Sequence, residues 1–98
     1  MLIKIHHSYR KVVAVCDYEL LGKKFEEGKF QLDITKDFFE GDKKSEEEII
    51  SIMQKMENED ATFNIVGKKS TSTALKAGII SKEGIKKIQN VPFALVLL

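Results

Sequence analysis

The chain has no tryptophan, one proline and one cysteine, Cys16. A single cysteine cannot form an internal disulfide, so no disulfide framework holds this fold together. Six glycines and one proline in 98 residues, with 43% hydrophobic and 32% charged side chains, exclude a collagen-like, low-complexity or disordered chain. Long hydrophobic runs are missing too. The most apolar stretch is Phe93 to Leu98, far short of the roughly 20 residues that a membrane-spanning helix needs. The N-terminus Met1-Leu2-Ile3-Lys4-Ile5-His6-His7 lacks the basic segment and apolar core of a signal peptide. A soluble, cytoplasmic protein is expected. Its Lys- and Glu-rich charge, without Trp, suits a thermophile. Net charge is small as well: 16 basic and 15 acidic residues leave +1, which selects no partner.

What is present reads as one α+β domain over residues 1–98, in two layers. Residues 2–8 and 11–16 form an N-terminal hairpin. A two-residue turn at Tyr9-Arg10 would pair Ser8 with Lys11, His7 with Val12, Ile5 with Ala14 and Ile3 with Cys16. Alternation then puts Ile3, Ile5, His7, Val12, Ala14 and Cys16 on the core face. Asp17 is placed to cap a short turn over Tyr18 to Leu21, ended by Gly22. Gly28 turns the chain into a strand from Lys29 to Ile34, in which Phe30, Leu32 and Ile34 alternate with polar residues. Residues 37–42 form an irregular connection pinned by Phe38 and Phe39.

The clearest helix spans about 45–57. Ser45-Glu46-Glu47-Glu48 is a capping box, and Ile49, Ile52, Met53 and Met56 recur at helical spacing. A strand from Ala61 to Val66 leads through Gly67 into a second main helix, about 68–77. Ile85 to Gln89 and Phe93 to Leu98 close the fold as a C-terminal hairpin around Asn90-Val91-Pro92. Irregular alternation with a hairpin at each end favours a mixed sheet over a doubly wound parallel one. The expected core is Ile3, Ile5, Val12, Ala14, Leu32, Ile49, Ile52, Met53, Met56, Ile65, Leu75 and Val96.

Charge is segregated along the chain. Residues 37–60 carry nine acidic and three basic side chains, net −6, whereas residues 61–98 carry six Lys and one Glu, net +5. Two basic groups stand out. Lys4, His6, Arg10 and Lys11 surround Tyr9 at the first hairpin tip, and Lys68, Lys69, Lys76, Lys82, Lys86 and Lys87 form a basic C-terminal group. Lysines near phosphates and a tyrosine face for an unpaired base make Tyr9, Arg10, Lys11, Lys68 and Lys69 the candidate nucleic-acid contacts. They can act together only if the first hairpin and the Gly67 helix start present on one side.

Gly67, Lys68, Lys69 and Ser70 also make a candidate anion site, because a helix N-terminus offers free N–H groups and the positive end of the dipole. The spacing is not that of a P-loop. His6, His7, Cys16 and Asp17 lack the ligand spacing of a metal site, and no residues form a catalytic signature. No cofactor is implied.

Several of these blocks carry a resemblance. Tyr9-Arg10, Val12 to Asp17, Glu19 to Lys23 and Phe25 to Gly28, with Asn64 to Gly67, Ala77 to Ile80 and Val91-Pro92, resemble a small archaeal family. That family is catalogued only as the domain of unknown function number four-two-four. The resemblance implies an archaeal, cytoplasmic, single-domain protein without an established activity, in a family sometimes grouped with RNA-binding or translation-associated proteins. A histidine tends to follow Val-Pro in the family, where this chain has Phe93. The expected function is a non-enzymatic binding module for RNA or a ribonucleoprotein. Two alternatives stand beside it: a small-molecule binder or enzyme holding a phosphorylated ligand at Gly67, with Asp17 or Cys16 nearby, and a protein–protein adaptor using the acidic helix.

Overall fold

Val13 to Cys16 is the most deeply buried stretch of the chain, and the sheet is built outward from it. The structure, a computed structural model, describes residues 1–97. Among the described residues eight strands form: β1 (Leu2–His6), β2 (Val12–Cys16), β3 (Lys24–Glu27), β4 (Phe30–Asp33), β5 (Asp42–Lys43), β6 (Thr62–Val66), β7 (Lys86–Ile88) and β8 (Val91–Val96). Helices α1 (Lys36–Phe39), α2 (Glu46–Asn58) and α3 (Lys68–Lys76) lie between them. The main sheet runs β5-β1-β2-β6-β8-β7; β2 and β6 are parallel and the other neighbours antiparallel. A separate ribbon pairs β3 with β4. The fold is α+β with a mixed sheet, the two expected main helices and a hairpin at each end.

The hairpin register differs from expectation by one residue. His6 pairs with Val12, Ile5 with Val13 and Ile3 with Val15, around a five-residue loop from His7 to Lys11. Tyr-Arg supplies neither of the left-handed residues a two-residue turn requires. A one-residue shift exchanges the faces. Ile3, Val13 and Val15 therefore meet Ile49, Met53 and Ile65 under the helices, while Leu2, Ala14 and Cys16 face the other side. His7 is exposed and Val12 only half-buried.

The other side has its own cover. Ile34, Phe39 and Val66 join Leu2, Ala14 and Cys16 there, with Leu20, Leu21, Phe25 and Leu32 packed around them. This cover comes from the β3–β4 ribbon and α1, neither of which was expected as such. Phe30 is not part of it: its side chain is exposed. The C-terminal hairpin turns at Gln89-Asn90, both with positive φ (49° and 66°), which is the geometry of a tight hairpin. Pro92 consequently sits inside β8, and the expected strand end at Leu98 lies outside the described residues.

Chain direction creates one special edge. After β2 the chain turns to the ribbon side, with Leu20 and Leu21 in its core; after β6 it turns into α3, whose Ala74 lies in the helix-side core. Adjacent parallel strands whose continuations part to opposite faces leave a crevice at their carboxyl ends. No helix among the described residues is long and apolar enough to cross a membrane.

The capping box is formed: the Ser45 hydroxyl accepts from the Glu48 N–H at 3.3 Å, and the Glu48 carboxylate accepts from the Ser45 N–H at 3.1 Å. These bonds hold the Glu48 carboxyl below its ordinary value, the backbone bond contributing most. Ile49 and Met53 are fully buried, whereas Ile52 is only half-buried. Ile49→Ala should cost about 2–5 kcal/mol and Ile52→Ala clearly less, in chemical denaturation. Ser45→Ala should cost about 0.5–2 kcal/mol; equal losses for Ile49 and Ile52 would mean that the helix is rotated about its axis.

Candidate functional site

The crevice at the ends of β2 and β6 is closed by a carboxylate. Asp17 is 3% exposed. Its Oδ2 accepts from the Lys69 N–H at 3.1 Å; its Oδ1 accepts from the Ser70 N–H at 2.8 Å and the Ser70 hydroxyl at 2.7 Å. The Gly67 N–H donates to Pro92 at 2.8 Å, and the Thr71 N–H to Gly67 at 2.9 Å. Asp17 thus caps α3, 52 residues on, and makes no side-chain cap to its own Tyr18–Leu20 turn. This corrects the expected local cap. The buried carboxylate gains two backbone donors and a helix dipole that its own short turn cannot supply.

The candidate anion site at Gly67, Lys68, Lys69 and Ser70 is altered by the same contacts. The donors of Lys69 and Ser70 that an external anion would use already hold Asp17. Gly67 has φ 113°, and a Cβ there would lie 2.3 Å from the Asp17 Cγ. The hydroxyls are engaged as well: Thr71 donates to the Gly67 carbonyl at 2.8 Å and Thr73 to the Lys69 carbonyl at 2.7 Å. Beside the carboxylate remains a recess of about 220 Å³, lined by Leu20, Val91 and Pro92 with Lys68 and Lys69 at its rim. Asp17→Ala, which strands buried donors, should destabilise by about 2 kcal/mol or more, and Gly67→Ala should also destabilise. Unchanged denaturation midpoints would refute this account of the α3 start.

Tyr9, Arg10 and Lys11 lie at the opposite end of the same strands. The β1–β2 loop precedes Val12, and Gly67 follows Val66, the partner of Cys16. The five residues of β2 put the groups at least about 16 Å apart. The structure does not bring the five candidate contacts together. Tyr9 is fully exposed, but its surroundings include acid: Lys11 pairs with Glu59 at 2.5 Å, and Asp60 lines the same hollow. The Lys11 hydrogen bond and charge hold the Glu59 carboxyl below its ordinary value.

Cys16 and the histidines also separate. His6 lies at the far end of β1 from the Leu2–Cys16 pair, stacked on Phe38 at 4.6 Å with its Nε2 2.8 Å from the Phe38 carbonyl oxygen. Among the described residues, no three His, Cys, Asp or Glu side chains cluster as metal ligands would. Burial, with Asp17 beside it, pushes the Cys16 thiol up to about 11. The thiolate is the nucleophile, so native Cys16 should resist alkylation at pH 8 and react at the rate of unfolding. Fast labelling of folded protein would contradict its burial.

A third place was not foreseen. The β3–β4 ribbon stands beside β7 and leaves a groove of about 380 Å³ lined by Glu27, Phe30, Lys86, Lys87, Ile88 and Phe93. Phe30 is 73% exposed. The ribbon is clasped to the sheet because Glu27 Oε1 accepts from the Gln89 N–H at 2.8 Å, and the Gln89 side chain donates to the Glu26 carbonyl. That bond engages the groove's carboxylate. Among the described residues neither Lys86 nor Lys87 enters an ion pair. Lys86 and Lys87 belong to the basic C-terminal group legible in the sequence, whereas the place of Phe30 beside them follows from the pairing of β3 with β4 next to β7.

Comparison with known proteins bears on fold and family. A solved structure described as an uncharacterized conserved protein from Methanopyrus kandleri superposes with a TM-score of 0.87 at 23% identity, over 97% of this chain and 88% of that one. The profile of a family described as a protein of unknown function (DUF424) matches residues 5–98. No curated protein matches the chain.

Proposed function

The chain belongs to the DUF424 family of proteins of unknown function, and we propose from its surface that it is a non-enzymatic binding module associating with RNA or a ribonucleoprotein through the Phe30–Phe93 groove. One observation carries the reading: an exposed Phe30 shares a groove with Lys86 and Lys87, neither of which enters an ion pair among the described residues, while the groove's one carboxylate, Glu27, is turned to the Gln89 N–H. Phosphate supplies the missing negative charge, and its attraction to lysine is the sequence-independent part of nucleic-acid binding.

The groove is preferred to the first hairpin tip, where Lys11 is paired with Glu59 and Asp60 lines the same hollow. It is preferred to Gly67, where Asp17 occupies the helix donors. The acidic helix is a weaker adaptor surface, because Glu46 pairs with Lys76 at 2.6 Å and Glu48 is held by its cap.

Affinity for a mixed-sequence RNA oligonucleotide, measured across salt concentrations, tests the reading. It should fall as salt rises. Lys86→Glu with Lys87→Glu should weaken binding on the order of tenfold or more and flatten the log–log slope by roughly 1.4, for two single-strand phosphate contacts. Charge reversal at Lys11 should change little. Salt-insensitive binding, or none, would overturn it.

A further inference from the structure

The groove's walls say which form of nucleic acid fits. Phe30, Phe93 and Ile88 give it an apolar lining, with the lysines on the β7 edge. A duplex presents phosphate and sugar outward and keeps its base faces stacked inside, so it has nothing to place against these walls. An unpaired base has a flat apolar face, and stacking on an aromatic ring is how single strands are held. Phe30 is the one exposed large hydrophobic side chain among the described residues that lines a hollow with Lys86 and Lys87. A volume of about 380 Å³ lies at the small end of ligand-pocket sizes, roughly 300–1,000 Å³.

Resting on the RNA reading above, we infer that the groove takes a single unpaired base of a single strand. Phe30 is its stacking platform; Lys86, on the groove face with its ladder partner Phe93, and Lys87, the next residue along the edge strand, hold the flanking phosphates. The site is sequence-tolerant, because the one carboxylate in the groove, that of Glu27, already accepts a backbone hydrogen bond from Gln89. The groove's other polar side chains are Lys86 and Lys87, which the flanking phosphates engage, so no amide or guanidinium remains to read base edges.

The experiment is a binding titration with a labelled ten-nucleotide RNA, single-stranded and annealed to its complement, using the wild-type chain, Phe30→Ala, Phe30→Tyr and the Lys86→Glu, Lys87→Glu pair. Phe30 is exposed, so its variants leave the core intact. The single strand should bind more tightly than the duplex. Phe30→Ala should weaken it about 5- to 100-fold without changing the salt slope, and Phe30→Tyr should restore it. A 2-aminopurine base in the strand should change fluorescence on binding to wild type but not to Phe30→Ala. Equal affinity for both forms, with Phe30→Ala neutral and the lysine pair still required, would overturn the unpaired-base assignment and leave the RNA reading standing. No salt-dependent binding of either form, or binding only of an acidic peptide, would overturn both.

Discussion

The buried carboxylate of Asp17 is the contact on which the arrangement of the chain depends. It ends β2 and begins α3, so it joins the two parallel strands at the heart of the sheet to the helix that covers one face. A carboxylate 3% exposed must find donors, and α3 must find acceptors for its first N–H groups. Each need meets the other. Gly67 is required because any side chain there would strike Asp17, and its N–H reaches across to Pro92, which ties β8 into the same knot. The junction that most resembles an anion site thus carries its own anion.

Two covers on one sheet explain both the depth of Val13–Cys16 and the difficulty of reading it. Alternation sorts a strand into an inner and an outer face only when one face meets water. Here Val15 packs under α2 and α3 while Ala14 and Cys16 pack under the ribbon and α1. Either register buries apolar side chains, so the sequence pattern could not choose between them. Local features were legible. The Ser45–Glu48 box, the i, i+3, i+4 run of α2, the Gly67 strand-to-helix turn and the closing hairpin all depend on residues near one another in the chain. What escaped the sequence was non-local: the partner of Asp17, the pairing of β3 with β4, and the outward position of Phe30.

The same distinction governs the candidate sites. Tyr9 with Arg10, and Lys68 with Lys69, each read correctly as exposed basic surface, but only topology shows that a strand's length separates them. Topology also supplies the neighbours. Glu59, just after α2, pairs with Lys11, whereas Lys86 and Lys87 enter no ion pair among the described residues. A lysine's worth as a phosphate contact is set by the acids that folding brings to it.

The clasp between Gln89 and the Glu26–Glu27 segment joins residues 62 and 63 positions apart. Its two halves therefore leave the ribosome at different times. At about 5–20 residues per second, the Phe30 wall emerges roughly 3–12 seconds before Gln89 can fasten it to β7. Until then the ribbon has no β7 to lean on, and a nascent chain offers an aromatic side chain without its lysines. The groove is consequently among the later features of the fold to be assembled, and a shortened chain ending before β7 cannot display it.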